Sequence, residues 1–217
     1  MLILSSVSRY TLLTNTWLEL ARCTGLSEAK KLSRNFGNCG SFTIWEQLDD
    51  HAVKLFKEIV KRQKLPKLQI NEDACEGGIV EVVESLFCQD QFHDLTIKNY
   101  IDGPWKSSVV SKLLQFWSVN SRPLRGKNFI LKHLCQDGVK QLQEFVSQRQ
   151  SSTSSEVEIQ KALVVCSQEE TDYIDKYYRH QHFLFRKPSC VYKFEEGEGD
   201  ERRRLYISFE CALVEHR

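Results

Sequence analysis

No apolar run in this 217-residue chain approaches the ~20 residues a membrane-spanning helix needs. Neither sign of charge is in excess: thirty basic residues face twenty-nine acidic ones, a net charge of +1. A nucleic-acid binder concentrates a basic surplus, so this balance argues against that class. Eight cysteines are present (Cys23, Cys39, Cys75, Cys88, Cys135, Cys166, Cys190 and Cys211), yet none stands in a C-x-x-C pair. Their wide, irregular spacing reads as reduced thiols, mostly small buried groups, and not as a disulfide framework or a zinc site. No secretory signal is legible. Met1-Leu2-Ile3-Leu4 has no basic region before it, and Arg9 soon interrupts the apolar pattern. The expectation is an intracellular chain with no membrane partner.

Catalytic signatures are also missing. There is no G-x-x-x-x-G-K-[ST] loop, no G-x-G-x-x-G after a strand, no H-E-x-x-H and no G-x-S-x-G. Glu196-Gly197-Glu198-Gly199 contains G-x-G, but its acids would repel a phosphate. His180-Gln181-His182 spaces two imidazoles without a third ligand nearby and reads as a surface pair. Asp49-Asp50-His51 and Glu169-Glu170 fall at expected helix starts, where acids stabilise the helix dipole. Cys135 follows His133 by two residues, and only spatial reach would make them nucleophile and base. No catalytic, cofactor-binding or metal-ligating residue is assigned, and no cofactor is expected.

What is present is a soluble globular balance, 41% apolar and 27% charged, with a repeating pattern. Residues 2–36 read as helical, with a stripe at Leu12, Leu13, Trp17, Leu20 and Ala21. From Ser41 a short strand and an amphipathic helix alternate four times. The strands centre on Phe42-Thr43-Ile44, Leu68-Gln69-Ile70, Leu95-Thr96-Ile97 and Phe129-Ile130-Leu131. Each is followed by a helical stripe, such as Val53, Phe56, Ile59 and Val60, or Leu142, Phe145 and Val146. Ile44 to Ile70 is 26 residues, Ile70 to Ile97 is 27, and Ile97 to Leu131 is 34. Two near-equal steps and one stretched step describe a degenerate repeat with an insertion near Ser118 to Gly126. One strand plus one helix cannot bury its own apolar face, so stacked copies of the leucine-rich-repeat kind are expected. An α/β layer fold with coincidental spacing is the alternative.

Ser147 to Ser155 is a polar, Ser-rich linker. Ser167-Gln168-Glu169-Glu170 is a capping box that opens a helix to about His180. Phe183, Phe185, Val191, Tyr192 and Phe194 mark strand material. Leu205, Ile207 and Phe209 alternate with polar residues as a return strand, across a charged hairpin tip holding Arg202, Arg203 and Arg204. The expected organisation is an α/β chain in three parts: a helical cap over 1–40, a repeat array over 41–150, and a C-terminal helix plus β-hairpin over 151–217. Candidate partner contacts are Trp17, Ala21, Trp105, Arg202, Arg203 and Arg204. Tryptophan is favoured at interface hot spots, and the arginine run forms an exposed basic patch.

The succession Phe92-His-Asp-Leu-Thr-Ile97, Leu114-Gln-Phe-Trp117, Phe129-Ile-Leu-Lys-His133 and Gly138-Val-Lys-Gln-Leu-Gln-Glu-Phe-Val146 resembles the region downstream of the F-box in nematode F-box proteins. Pro188-Ser-Cys-Val-Tyr-Lys-Phe194 and Leu205-Tyr-Ile-Ser-Phe209 are similar to that group's terminal hairpin. The resemblance spans about Ser41 to Cys211. It implies degenerate strand–helix units that hold a substrate for a cullin-type ubiquitin ligase. The Leu-Pro that opens a family F-box is missing, and only Trp17-Leu-Glu-Leu-Ala21 is similar to that box's last helix. The box is thus truncated or absent, and a Skp-type adaptor is a partner only where it functions. The leading expectation is a non-enzymatic protein-binding module. The rivals are a small α/β enzyme with its site near Asn71, Asn99 and His133, and an RNA binder using Arg202 to Arg204.

Overall fold

The structure, a computed structural model, describes residues 2–7, 42–62, 65–99, 105–133, 135–149, 163–174, 176–177, 190–197 and 202–209. Four strand–helix units follow one another. They are β2 (Phe42–Ile44) with α1 (Asp50–Arg62), β3 (Lys67–Asn71) with α2 (Ile79–Phe87), β4 (Asp94–Asn99) with α3 (Val109–Val119), and β5 (Lys127–His133) with α4 (Gln136–Arg149). β1 (Leu2–Val7) precedes them. β6 (Val164–Val165), α5 (Gln168–Ile174), β7 (Cys190–Glu196) and β8 (Arg203–Phe209) follow. The fold is mixed α/β.

The strands form one sheet in the order β2-β3-β4-β5-β1-β8-β7-β6. β2 to β5 are parallel neighbours in sequence order. Their register is the one the spacing implied: Ile44 pairs Ile70, Ile70 pairs Ile97, and Ile97 pairs Leu131. Phe42, Leu68, Leu95 and Phe129 form the adjoining row. Both rows lie in the main core with Phe56, Val83, Leu86, Leu114 and Leu142 from the helices. Phe42 stacks on Phe56 of α1 at 5.2 Å between ring centres. The stretched step is absorbed by turn residues 121–126, ended by Gly126 at φ 75°, a conformation that favours glycine.

Local chemistry sets the helix starts. Asp49 caps α1, its carboxylate accepting the Ala52 amide at 2.7 Å. Ser167 and Glu170 form the expected capping box on α5. The Glu170 amide donates to the Ser167 hydroxyl at 3.2 Å, and the Ser167 amide donates to the Glu170 carboxylate at 3.1 Å. α5 is described over Gln168–Ile174, Lys176 and Tyr177 are π-helical, and the expected continuation to about His180 lies outside the described residues. Residues 178–189, with His180, His182, Phe183 and Phe185, lie outside the described residues.

The N-terminus departs from the helical expectation. Residues 2–7 are a strand, parallel to β5 on one side and to β8 on the other. Strand pairing with segments more than a hundred residues away overrides the local preference. The remainder of the expected cap, with Trp17 and Ala21, lies outside the described residues.

The hairpin of β7 and β8 is antiparallel, and β6 pairs antiparallel with β7. Phe194, Leu205 and Ile207 join the core under α3 and α4. Trp117, Phe145 and Phe194 meet there with ring centres 6.3 to 6.5 Å apart. Val191 and Tyr206 alternate to the other face and cluster with Cys166 and Ile174. α5 therefore covers the sheet face opposite to α1–α4.

Candidate protein-binding surface

Open α/β sheets hold ligands outside the C-terminal ends of their strands. Asn71, Lys98 and Lys132 form one register row there, and Asn99 sits beside His133. Several polar groups around this row hold the loops, while Asn71 Oδ1 and Ser107 Oγ are buried without a hydrogen-bond partner among the described residues. Buried Glu72 accepts the backbone amide of Lys106 at 2.7 Å and that of Ser107. The Asn71 side chain donates to the Trp45 carbonyl at 2.9 Å, and the Cys75 thiol donates to the Asn71 carbonyl at 3.4 Å. Burial pushes the Cys75 thiol up, and the nearby Glu72 and Asp73 charges push it further.

His133 stands at φ 67°, uncommon for a residue with a side chain, and its carbonyl accepts the Cys135 amide at 2.8 Å. Burial, with the charges of Lys98 and Lys132, holds its imidazole below the ordinary value. Burial pushes the Cys135 thiol up. An activated nucleophilic thiol requires the opposite shift. No three potential metal ligands converge among the described residues.

The sheet face turned away from α1–α4 offers no open platform either. Thr43, Gln69, Thr96 and Ile130 form its central row. Thr43, Thr96 and Ile130 in that row are only 6%, 7% and 4% exposed.

The residues selected from the sequence have divided fates. Trp105 belongs to the core. It is 6% exposed, and its indole N–H donates to the Ser107 carbonyl at 3.0 Å. Its aromatic bulk fills the space beside Gly138 of α4, so it presents no surface to a partner. Arg202, Arg203 and Arg204 stand at the hairpin tip as expected, but each is matched by an acid. Arg202 and Arg204 pair with Glu195, and Arg203 pairs with Glu196 at 3.4 Å. Strand register places Glu195 opposite Arg204 and Glu196 opposite Arg203. Arg149 of α4 adds a second cation to Glu196 at 3.2 Å. The basic run is ion-paired within its own hairpin, its three arginines sharing the two carboxylates of Glu195 and Glu196.

The exposed apolar surface lies elsewhere. Val119, Val164, Val165, Tyr173 and Tyr177 are the large hydrophobic side chains left exposed among the described residues. All but Val119 fall in the single stretch Val164–Tyr177, at the end of the sheet. β6 is the last strand in the sheet order. Its neighbouring valines point to opposite faces, and they are 60% and 66% exposed, so no described residue covers the edge on either side. The Tyr173 and Tyr177 rings meet at 4.7 Å between centres. The Lys176 ammonium lies 4.9 Å from the Tyr177 ring centre.

The segment is held from beneath. Cys166 and Ile174 are buried against Val191 and Tyr206, and Lys193 bonds both Glu170 carboxylate oxygens at 2.8 and 2.9 Å. Burial, aided by the Glu170 charge, pushes the Cys166 thiol up to about 11. The surface is thus displayed on a fixed base. Sequence reasoning passed over it because valine and tyrosine are ordinary strand and helix residues, and only the sheet order leaves them uncovered. Comparisons of the chain with protein-family models, with curated proteins and with solved structures give no match.

Proposed function

We propose that this chain is a non-enzymatic protein-binding module that meets its partner at the β6–α5 edge. The observation that carries the reading is the gathering of exposed apolar side chains in Val164–Tyr177 on a buried, ion-paired base. Exposed apolar patches on soluble proteins mark interaction sites more often than isolated apolar residues do. The strand ends support the same reading, since the Glu72 carboxylate, the Asn71 amide nitrogen and the Cys75 thiol each bond backbone. The four stacked strand–helix units, in the manner of leucine-rich repeats, act as the scaffold that holds this edge. In the F-box setting that the sequence resembles, the partner is a protein destined for ubiquitylation.

A photo-crosslinking residue placed at Tyr173, with one at exposed Lys57 of α1 as control, tests the surface. A discrete adduct at position 173 and none at 57 is expected. Val165→Asp combined with Tyr173→Ala should weaken partner retention by about tenfold or more, the scale of a hot-spot loss. Equal adducts at both positions would defeat the assignment. Retention on a purified Skp-type adaptor separately tests the F-box role, and its failure would leave the binding module standing.

A further inference from the structure

We propose that β6 receives an extended strand from the partner, and that this strand carries basic residues. The inference rests on the protein-binding reading and adds the mode of recognition. Its geometric basis is the pairing of β6 with β7. Val165 lies opposite Tyr192, and the Cys166 amide donates to the Val191 carbonyl at 2.9 Å. In an antiparallel ladder a bond at that offset makes Val165–Tyr192 a non-hydrogen-bonded pair. The Val165 N–H and C=O are therefore directed away from β7, along the outer edge of the last strand. These are the groups with which an added strand bonds to a sheet, while pockets and neighbours for alternate side chains supply specificity.

The charge of the partner follows from the helix beside the edge. α5 carries Glu169, Glu170 and Asp172 and no base. Glu170 is matched by Lys193. Among the described residues Asp172 accepts the neutral Gln168 amide at 2.9 Å. Glu169 and Asp172 are exposed and have no cationic partner among the described residues. Acids beside exposed valines and tyrosine rings suit a strand that alternates apolar and cationic side chains. The apolar ones cover Val164 and Val165, and the cations meet the Glu169 and Asp172 carboxylates, the Tyr177 ring being already taken by Lys176.

The test uses the full chain and two labelled peptides read by fluorescence anisotropy. One alternates lysine with valine and the other alternates glutamate with valine. The lysine peptide is expected to bind about tenfold or more tightly than the glutamate peptide. Val165→Pro removes the outward N–H without touching a bond to β7, and edge strands tolerate proline. This variant should keep its melting temperature and lose about tenfold in affinity. Glu169→Gln with Asp172→Asn should erase the preference between the peptides.

Equal binding of both peptides, binding of neither, or unchanged affinity in Val165→Pro would overturn the proposal. Should the proline variant melt early, the Glu169/Asp172 pair decides alone, and a preference that survives there overturns it. A concentration-dependent dimer that Val165→Pro abolishes would assign the edge to a second copy and equally overturn it. A chain that crosslinks through Tyr173 yet ignores both peptides loses strand addition and keeps protein binding.

Discussion

Glu170 connects two neighbours at once. Its carboxylate takes both contacts from Lys193 and the amide of Ser167, and its own amide reaches the Ser167 hydroxyl. The hydrogen bond from Lys193, then that from the Ser167 amide, holds the carboxyl below its ordinary 4.5. A lowered carboxyl contributes stability that is present above its unfolded value and is lost as pH falls through the folded value. The docking of α5 should therefore weaken on acidification below about 4.5, since protonation removes the anion that Lys193 and the cap both bind. Denaturant unfolding followed between about pH 3 and 6 checks this, with Glu170→Gln expected to flatten the acid limb. An identical slope in the glutamine variant would place the acid sensitivity elsewhere. The cap was legible in the sequence because Ser167 and Glu170 are three residues apart. The Lys193 contact was not, because it joins segments whose proximity only the sheet creates.

At the level of elements, the four strand–helix units follow from short-range chemistry. Alternating apolar pairs such as Leu68 with Ile70 set the strands, and 3.6-residue stripes set the helices. The recurring strand pattern even anticipated which residues pair, as the Ile44, Ile70, Ile97 and Leu131 row shows. Contacts between a helix and the loops and strands it packs on were hidden. Gly138 of α4 is the clearest, for a Cβ there would lie 3.2 Å from Trp105 and 3.3 Å from Leu131. Both neighbours are buried and Trp105 is tethered to Ser107, so neither gives way readily. Gly138→Ala should destabilise the protein by about 1–3 kcal/mol, although alanine is the better helix former. Urea unfolding measures it, and a gain in stability would show that the contact relaxes. Trp105 stood as a candidate contact because tryptophan is favoured at interface hot spots. Its burial depends on that close approach of α4, which spacing along the chain does not encode.

On the scale of the whole molecule, one strand joins two halves that the sequence presented separately. β1 bonds β5 of the repeat units on one side and β8 of the hairpin on the other. Ser5 stands at its middle, opposite Ile130 and Ser208. Ser5→Pro removes an amide from the interior of the sheet and should cost about 2–4 kcal/mol. Loss of cooperativity in urea unfolding is the expected sign, with the hairpin side melting first. A single unchanged transition would mean that the Trp117, Phe145 and Phe194 cluster suffices to hold the halves together. Leu2 to Val7 read as helix because parallel partners so remote leave no trace in a local window. The edge surface was illegible for a related reason, since exposure of Val164 and Val165 is decided by where the sheet stops.

The position of β1 also sets a timetable. Leu2 pairs with Lys127, made 125 residues later, and with Leu205, made 203 residues later. At about 5–20 residues per second, a ribosome needs roughly 10–40 s to deliver β8 after β1. During that interval β2 to β5 can assemble by short-range steps, while the outer side of β5 awaits a completed neighbour. The nascent chain then carries an unfinished sheet border that chaperones must shield or neighbouring chains can seize.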